Sequence, residues 1–434
     1  MFNSLPIINA ESKAKKLNYL VNTLKKPLIY TKSLVKWLIL SLVVGAVGGF
    51  IGSGFHISID YVTELRIEKS YLIYFLPLGG IVIAGIYHIF KSKGKLDTNR
   101  VLVAVTKQEK VPLVMAPLIF LGTVLTHLLG GSAGREGAAL QLGGSIGYNT
   151  GRLLKLKNDD LHIIVMSGMS AVFAALFGTP LTASFFALEV ARVGVMHYAA
   201  LVPSVMAALV ASYIAKFCGL SPVAFEGLKK VSISPSAVGY IVVIAILCAL
   251  VSILFCKSIK KTEQLFDRLM PSRYIRAFVG GGIIVLLTMV LKTYDYNGAG
   301  MDVITKAIDG EAKYEAFILK IIFTSITIAA GFKGGEIVPA FFIGSTFGCI
   351  VGSIIGFDPS VAAAAGFICV FCSVVNCPVA SVMLSIEVFG SHNILLFALA
   401  CAISYMMSGY SGLYSEQQIA FSKINEEKIN KKTT

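Results

Sequence analysis

Gly130-Gly131-Ser132-Ala133-Gly134-Arg135-Glu136-Gly137, continued by Ala138-Ala139-Leu140-Gln141-Leu142-Gly143-Gly144-Ser145, sets a glycine-rich stretch and an acid into an apolar background. Two hundred positions on, Gly334-Gly335-Glu336-Ile337-Val338-Pro339 repeats the pattern. Eight residues after each glutamate comes Gly-Ser, at Gly144-Ser145 and at Gly344-Ser345. A second matched pair follows, Pro180-Leu181 through Leu188-Glu189-Val190 and Pro378-Val379 through Ile386-Glu387-Val388. Its offset is 198, and proline-to-glutamate spacing is nine in both copies. Two matched blocks at nearly one offset mark an internal repeat.

The background in which these blocks sit fixes the class. The chain has 434 residues, 56% hydrophobic and only 14% charged, against roughly 25% charged in a soluble domain. With a mean hydropathy of +0.77, this composition excludes an ordinary soluble enzyme, a disordered chain and a nucleic-acid binder. An integral membrane protein remains, with room for on the order of a dozen apolar segments at about 20 residues per span. Apolar runs fall near 36–57, 71–90, 111–130, 161–178, 181–192, 197–217, 237–257, 275–292, 316–331, 340–356, 361–376, 379–390 and 393–410. Several are too short to span. Glycine or proline interrupts 130–150, 176–181, 330–344 and 376–378, as in broken or re-entrant helices that are buried in protein or line a cavity.

The net charge of +14 reads as topology, since lysine and arginine mark cytoplasmic loops. Residues 1–34 form a basic leader without a secretory signal's short apolar region. An acidic loop with Asp60, Glu64 and Glu68 is expected outside, and a basic loop from Lys91 to Lys110 inside. The basic loop 257–276 is expected inside and the acidic loop 293–315 outside. On this count the span before Glu136 runs outward and the span before Glu336 inward. The result is an all-α polytopic membrane protein with an inverted-topology repeat. Its parts are the leader 1–34, a first repeat 35–220, a second 221–414 and a short cytoplasmic tail 415–434. Transporters built this way place their substrate site near the midplane, where broken helices meet.

The chemistry follows from the broken helices. A glycine-rich turn opening a helix leaves backbone N–H groups and the positive end of the helix dipole facing a cavity, which suits an anion. The amides at 134–137 and 335–339 offer two such ends, and Pro339 fits a first helical turn. Glu136 is the sharp candidate, because a carboxylate inside a membrane segment is costly. It can occupy the anion's place, and protonation releases it, so one residue gates and carries a proton. The plain alternative is that Glu136 caps a helix N-terminus. Arg135 reads as a counter-charge or as an attractor of anions. Glu336 reads as a structural or inner-vestibule residue with Lys333 as neighbour. Glu189 and Glu387 read as interfacial helix ends. The six histidines, His127 among them, show no metal-ligand spacing, and the eight cysteines read as small buried hydrophobes. Tyr414, at a glycine break after the last apolar run, can donate to an ion or sit in an interfacial belt.

These motifs resemble the CLC family of chloride channels and anion/proton antiporters. Gly134-Arg135-Glu136-Gly137 is similar to the family's GREG(P), with Ala138 in place of proline. Gly335-Glu336-Ile337-Val338-Pro339 is similar to GxFxP, with Ile337 in place of phenylalanine. Phe177-Gly178-Thr179-Pro180-Leu181 to Glu189 resembles its proline-to-glutamate helix. The resemblance covers about 35–415. It implies a CLC-type fold, Glu136 as the external gating glutamate, Tyr414 as the pore-lining tyrosine, and a homodimer with one pore per subunit. The loop whose serine touches the central anion would fall at 94–99, which here reads Gly94-Lys95-Leu96-Asp97-Thr98-Asn99, without serine or proline. The inner proton-relay glutamate would fall at Val190. The runs 331–339, 130–137 and 412–417 look like the bacterial fluoride/proton antiporter branch, although Val338 stands where that branch has threonine.

The expectation is therefore an antiporter in the cell membrane, with both termini cytoplasmic, that exports fluoride against protons. Glu136 gates and carries the proton. Gly134, Arg135, Gly137, Ile337, Val338, Tyr414, Asp97, Thr98 and Asn99 surround the ion, and neither metal, cofactor nor nucleic acid is expected. A chloride/proton antiporter or a passive chloride channel of the same fold is the first rival. A membrane enzyme is the second. It is disfavoured because there is no HExxH and because Ser132 beside His127 makes no hydrolase pairing.

Overall fold

A computed structural model describes residues 10–90, 96–107 and 109–434, with side chains from residue 26 onward. The start of the leader and Lys91, Lys93, Gly94 and Lys95 lie outside the described residues. Sixteen α-helices are described, and their order falls into two runs of eight. The first is α1 (Ala10–Glu68), α2 (Leu76–Ile89), α3 (Thr98–Lys107), α4 (Met115–Leu128), α5 (Glu136–Leu153), α6 (Asn158–Phe177), α7 (Pro180–Glu189) and α8 (Leu201–Phe217). The second is α9 (Pro235–Leu269), α10 (Arg273–Leu291), α11 (Met301–Ile308), α12 (Ala316–Ala329), α13 (Ile337–Ile355), α14 (Pro359–Val375), α15 (Pro378–Phe389) and α16 (Ile394–Met407). Long helices lead each run, and the broken pieces occupy matching places. Among the described residues, seven helical stretches are long and apolar enough to cross a membrane, including Lys26–Glu68, Pro235–Leu269 and Arg273–Leu291. α6 and α13 also qualify, yet most of their surface is buried inside the protein.

Local chemistry sets the breaks. α7 and α15 each start on a proline at the first helical position, where no N–H is missed. α6 ends at Gly178 with φ 69°, and the matching α14 ends at Asn376 with φ 57°. Both residue types tolerate the left-handed conformation that stops a helix. Asp358 caps α14 by accepting from the Ser360 and Val361 amides. Glycines then allow close packing. A Cβ at Gly143 would stand 2.3 Å from the Gly168 carbonyl oxygen, and one at Gly344 would stand 2.3 Å from that of Gly366. The α5/α6 pair and the α13/α14 pair thus use the same small-residue contact, as membrane helices do.

α7 and α15 lie side by side and clasp each other. The Glu189 carboxylate at the end of α7 accepts from Val379 N (3.3 Å) and Ala380 N (2.9 Å) at the start of α15. Glu387, late in α15, accepts from Leu181 N (2.9 Å), Thr182 N (2.8 Å) and Thr182 Oγ1 (2.6 Å) at the start of α7. Each acid satisfies the orphan donors of the other helix. The expectation of interfacial helix ends gives way to this arrangement, in which Glu189 is only 7% exposed.

Other departures are local. The leader and first span form one continuous α1, so Asp60, Glu64 and Glu68 sit in its last turns rather than in a loop. The basic segment before α4 contains the amphipathic α3, and the acidic segment 293–315 contains α11. The segment 415–434 is folded. β2 (Gln418–Phe421) and β3 (Lys428–Lys432) form an antiparallel hairpin, and β2 also pairs in parallel with β1 (Arg192–Val193), just after α7.

Candidate functional site

The two glycine-rich turns meet at the centre of the molecule. Gly134 and Gly335 form an isolated antiparallel bridge, each amide donating to the other's carbonyl at 2.7 Å. Each turn is also held by a hydroxyl from the opposite run of helices. Thr327 on α12 accepts from Ser132 N (3.1 Å), and Thr126 on α4 accepts from Lys333 N (3.1 Å). The crossing leaves no space for side chains, since a Cβ at Gly335 would lie 2.3 Å from Gly137 N. The N-termini of α5 and α13 are thereby brought to one place.

Glu136 opens α5 and is buried, 2% exposed. Its carboxylate folds back over the start of its own helix, where Oε2 accepts from Arg135 N at 2.9 Å. A Cβ at Gly134 would meet that same oxygen at 2.5 Å. The Arg135 guanidinium bonds Asp60 on α1 (2.6 Å) and lies 3.7 Å from Glu136 Oε1, while His56 holds the other Asp60 oxygen at 3.0 Å. Arg135 thus pairs closely with Asp60 and lies at the edge of ion-pair range from Glu136. Val338, in the first turn of α13, packs against Gly134, and Ile337 beside it is fully buried.

The basic stretch 257–276, expected as a loop, is instead the end of α9 and the start of α10 joined at 270–272, and on its side a cavity of 1570 Å³ reaches this centre. Glu336, Tyr414, Gln141, Asp97, Thr98 and Asn99 line it, and Glu136 does not. Arg100, Lys107, Lys260, Arg273 and Lys333 also line it, together with Glu109, Glu263 and Asp267. Tyr414 is 2% exposed, and its hydroxyl is a buried donor with no hydrogen-bond partner. Gln141 Oε1 is also without a partner, while its Nε2 donates to Thr98 Oγ1 at 3.1 Å. Buried polar atoms of this kind are rare without a ligand or water.

The sequence-derived residues therefore converge. Gly134, Gly137, Glu136, Ile337 and Val338 form the crossing, Tyr414 lies below it, and Asp97, Thr98 and Asn99 form a side wall. Two of the wall residues spend their side chains on structure. Asp97 Oδ1 accepts from Arg100 N (3.2 Å), and Asn99 Oδ1 accepts from Glu416 N (3.0 Å). Sequence reasoning passed over Gln141, although a lone amide among Ala138, Ala139, Leu140 and Leu142 was the signal. It also passed over Thr126 and Thr327, whose role exists only across the two runs. Cys369 and Cys372 have C-x-x-C spacing on α14. Both are free and buried, and no cluster of metal-ligating side chains occurs among the described residues.

A family model described as voltage gated chloride channel matches residues 79–409. A "Chloride/fluoride channel protein" of Pseudomonas syringae pv. tomato is 32% identical over 397 residues, covering 90% of this chain and 88% of the relative. The crystal structure of a CLC-type fluoride/proton antiporter matches with a TM-score of 0.85 and 31% identity, covering 89% of this chain and 98% of that one. An H(+)/Cl(-) exchange transporter ClcA of Vibrio campbellii is 23% identical over 418 residues, covering 87% of this chain and 88% of the relative.

Proposed function

The chain belongs to the CLC family of voltage gated chloride channels and their transporter relatives, and from that premise we propose that it is an antiporter exporting fluoride in exchange for protons. The observation that carries this reading is the Glu136 carboxylate lying on the backbone amides at the start of α5, with Arg135 N at 2.9 Å. That is where helix N–H groups and dipole favour an anion. A carboxylate in the ion's place is a tethered competitor. When it takes a proton, the dipole no longer holds it, and the ion can occupy the amides.

On this reading an anion is drawn from the cytoplasm by the basic residues of the large cavity. It sheds water against the Tyr414 hydroxyl and the amides at the Gly134–Gly335 crossing, then displaces Glu136 toward the outer face. Glu336 lines the same inner cavity as Tyr414 and offers a second carboxylate there. Val190, buried and without a titratable group, leaves no acid at the position where chloride/proton exchangers are expected to carry one. This and the similarity to the two fluoride-associated proteins favour fluoride over chloride. The remaining assignments follow the same reading: repeats 35–220 and 221–414, a location in the cell membrane, cytoplasmic termini and a homodimer. Exposed apolar residues on α8, among them Leu209, Tyr213 and Phe217, support a further apolar contact, with lipid or with a second copy.

A passive channel is the second reading, supported by the printed name of the Pseudomonas relative. Purified protein in liposomes, with fluoride and chloride efflux followed alongside internal pH, separates the two. Fluoride efflux that drives proton uptake, and that loses its coupling in Glu136→Gln, is expected. Anion efflux with no pH change overturns the antiporter reading and leaves the channel.

A further inference from the structure

Tyr414 sits on the irregular segment 408–417, so its own backbone has no helix to hold it in place. The last residues of the chain hold it instead. Thr433 Oγ1 donates to the Tyr414 carbonyl at 2.5 Å, and Gln417 N donates to the same carbonyl at 2.9 Å. Thr433 N in turn donates to Gln417 O at 3.1 Å, and Leu413 N donates to Val374 O at the end of α14 at 2.9 Å. The Gln417 side chain is fully buried. Its Nε2 donates to Val190 O (2.8 Å) and Val375 O (2.7 Å), and its Oε1 accepts from Asn376 Nδ2 (3.0 Å). Lys423, in the hairpin turn, reaches Asn376 Oδ1 (2.5 Å), Tyr405 O (2.9 Å) and Ser408 Oγ (3.0 Å). From the opposite wall, Asn99 accepts from Glu416 N.

Resting on the reading of Tyr414 as a wall of the anion path, we infer that the C-terminal hairpin is the device that positions this tyrosine, with Thr433 and Gln417 as its positioning residues. The geometry makes the end of α7, the end of α14, the 97–99 wall and the hairpin one hydrogen-bonded unit. Tyr414 is what this unit presents to the cavity, and its buried hydroxyl is, among the described residues of the unit, the one without a hydrogen-bond partner. A free hydroxyl can bind an ion at a fixed distance only if the backbone beneath it does not move.

The test uses the full chain. Thr433→Val keeps the shape and removes the donor, Thr433→Ser restores the donor, and Lys428→Ala on the exposed strand is the control. In detergent, amide hydrogen exchange across 409–417 is expected to quicken about fivefold in Thr433→Val, from the loss of one hydrogen bond, while α5 and α13 keep their protection. Thr433→Ser and Lys428→Ala should match the parent. Unchanged exchange in Thr433→Val overturns the proposal. In liposomes, Thr433→Val should shift the anion-to-proton ratio in the same direction as Tyr414→Leu, and the double variant should be no worse than Tyr414→Leu alone. Additive losses overturn positioning through Tyr414. If Tyr414→Leu transports as the parent does, the pore reading of Tyr414 falls, and the exchange measurement still decides the role of the hairpin.

Discussion

Replacing Gly335 with alanine would place a methyl carbon 2.3 Å from the Gly137 nitrogen and 2.8 Å from the Gly137 Cα. Both are backbone atoms fixed by the Gly134–Gly335 bridge, so no flexible side chain can move aside. Overpacking of this kind costs about 1–3 kcal/mol or more. Gly335→Ala is expected to lower the thermal midpoint of the purified protein and to abolish anion flux. Gly282→Ala, at a position with open space around it, should do neither. The same scale shows what could be read beforehand. Glu136 stood out because an acid in an apolar segment has few structural excuses. Thr126 and Thr327 did not stand out. Each donates to its own helix, to Gly122 O at 2.9 Å and Phe323 O at 2.8 Å, as an unremarked membrane threonine does. The lone pair that accepts the distant amide is used only once both runs of helices have come together.

At the scale of elements, reciprocity is the organising physics: what α4 does for the second turn, α12 does for the first. Removing either hydroxyl takes away one hydrogen bond, from the buried Ser132 amide or the part-buried Lys333 amide, at a cost of about 0.5–1.5 kcal/mol. Thr327→Val and Thr126→Val should therefore destabilise by similar amounts and weaken anion binding together, while the serine variants stay near the parent; thermal unfolding and fluoride titration check both. A variant pair with grossly unequal losses would break the symmetry argument. The hairpin carries a different prediction. Burial pushes the Lys423 ammonium down to about 8 from its ordinary 10.5. Below pH 8 the docked and released hairpins are both charged there, and docking does not depend on pH. Between about 8 and 10.5 the released form binds more protons, so docking strengthens as pH rises through that window. Protection factors of 418–432, corrected for intrinsic exchange, should rise over that range and lose the trend in Lys423→Gln.

For the whole molecule, the sequence exposed the repeat through two short blocks, because only the turns and breaks need particular residues. The helices between them keep their order but not their length, 59 residues in α1 against 35 in α9, and so carry no repeat that can be read from sequence. Charge sets off the leader 1–34 but does not mark a helix end, and α1 runs unbroken from Ala10 to Glu68. The hairpin does not show in the sequence because its polar residues read as a short tail, although Gln417 is buried against the ends of α14 and α7 and Thr433 against Tyr414. What the charge pattern does claim is a direction across the membrane, and this can be tested without any transport assay. Seven of the eight cysteines are buried, leaving Cys218 as the partly exposed thiol. A Cys218→Ser background should therefore react little with a membrane-impermeant maleimide. Gln264→Cys lines the large cavity from the basic end of α9, and Asp302→Cys lies in the first turn of α11, within the acidic segment. With basic loops retained in the cytoplasm, intact cells should label Asp302→Cys and spare Gln264→Cys until they are permeabilised. Labelling of Gln264→Cys from outside would reverse the molecule. The large cavity would then receive its anion from the medium, and the export direction proposed for fluoride would fall with it.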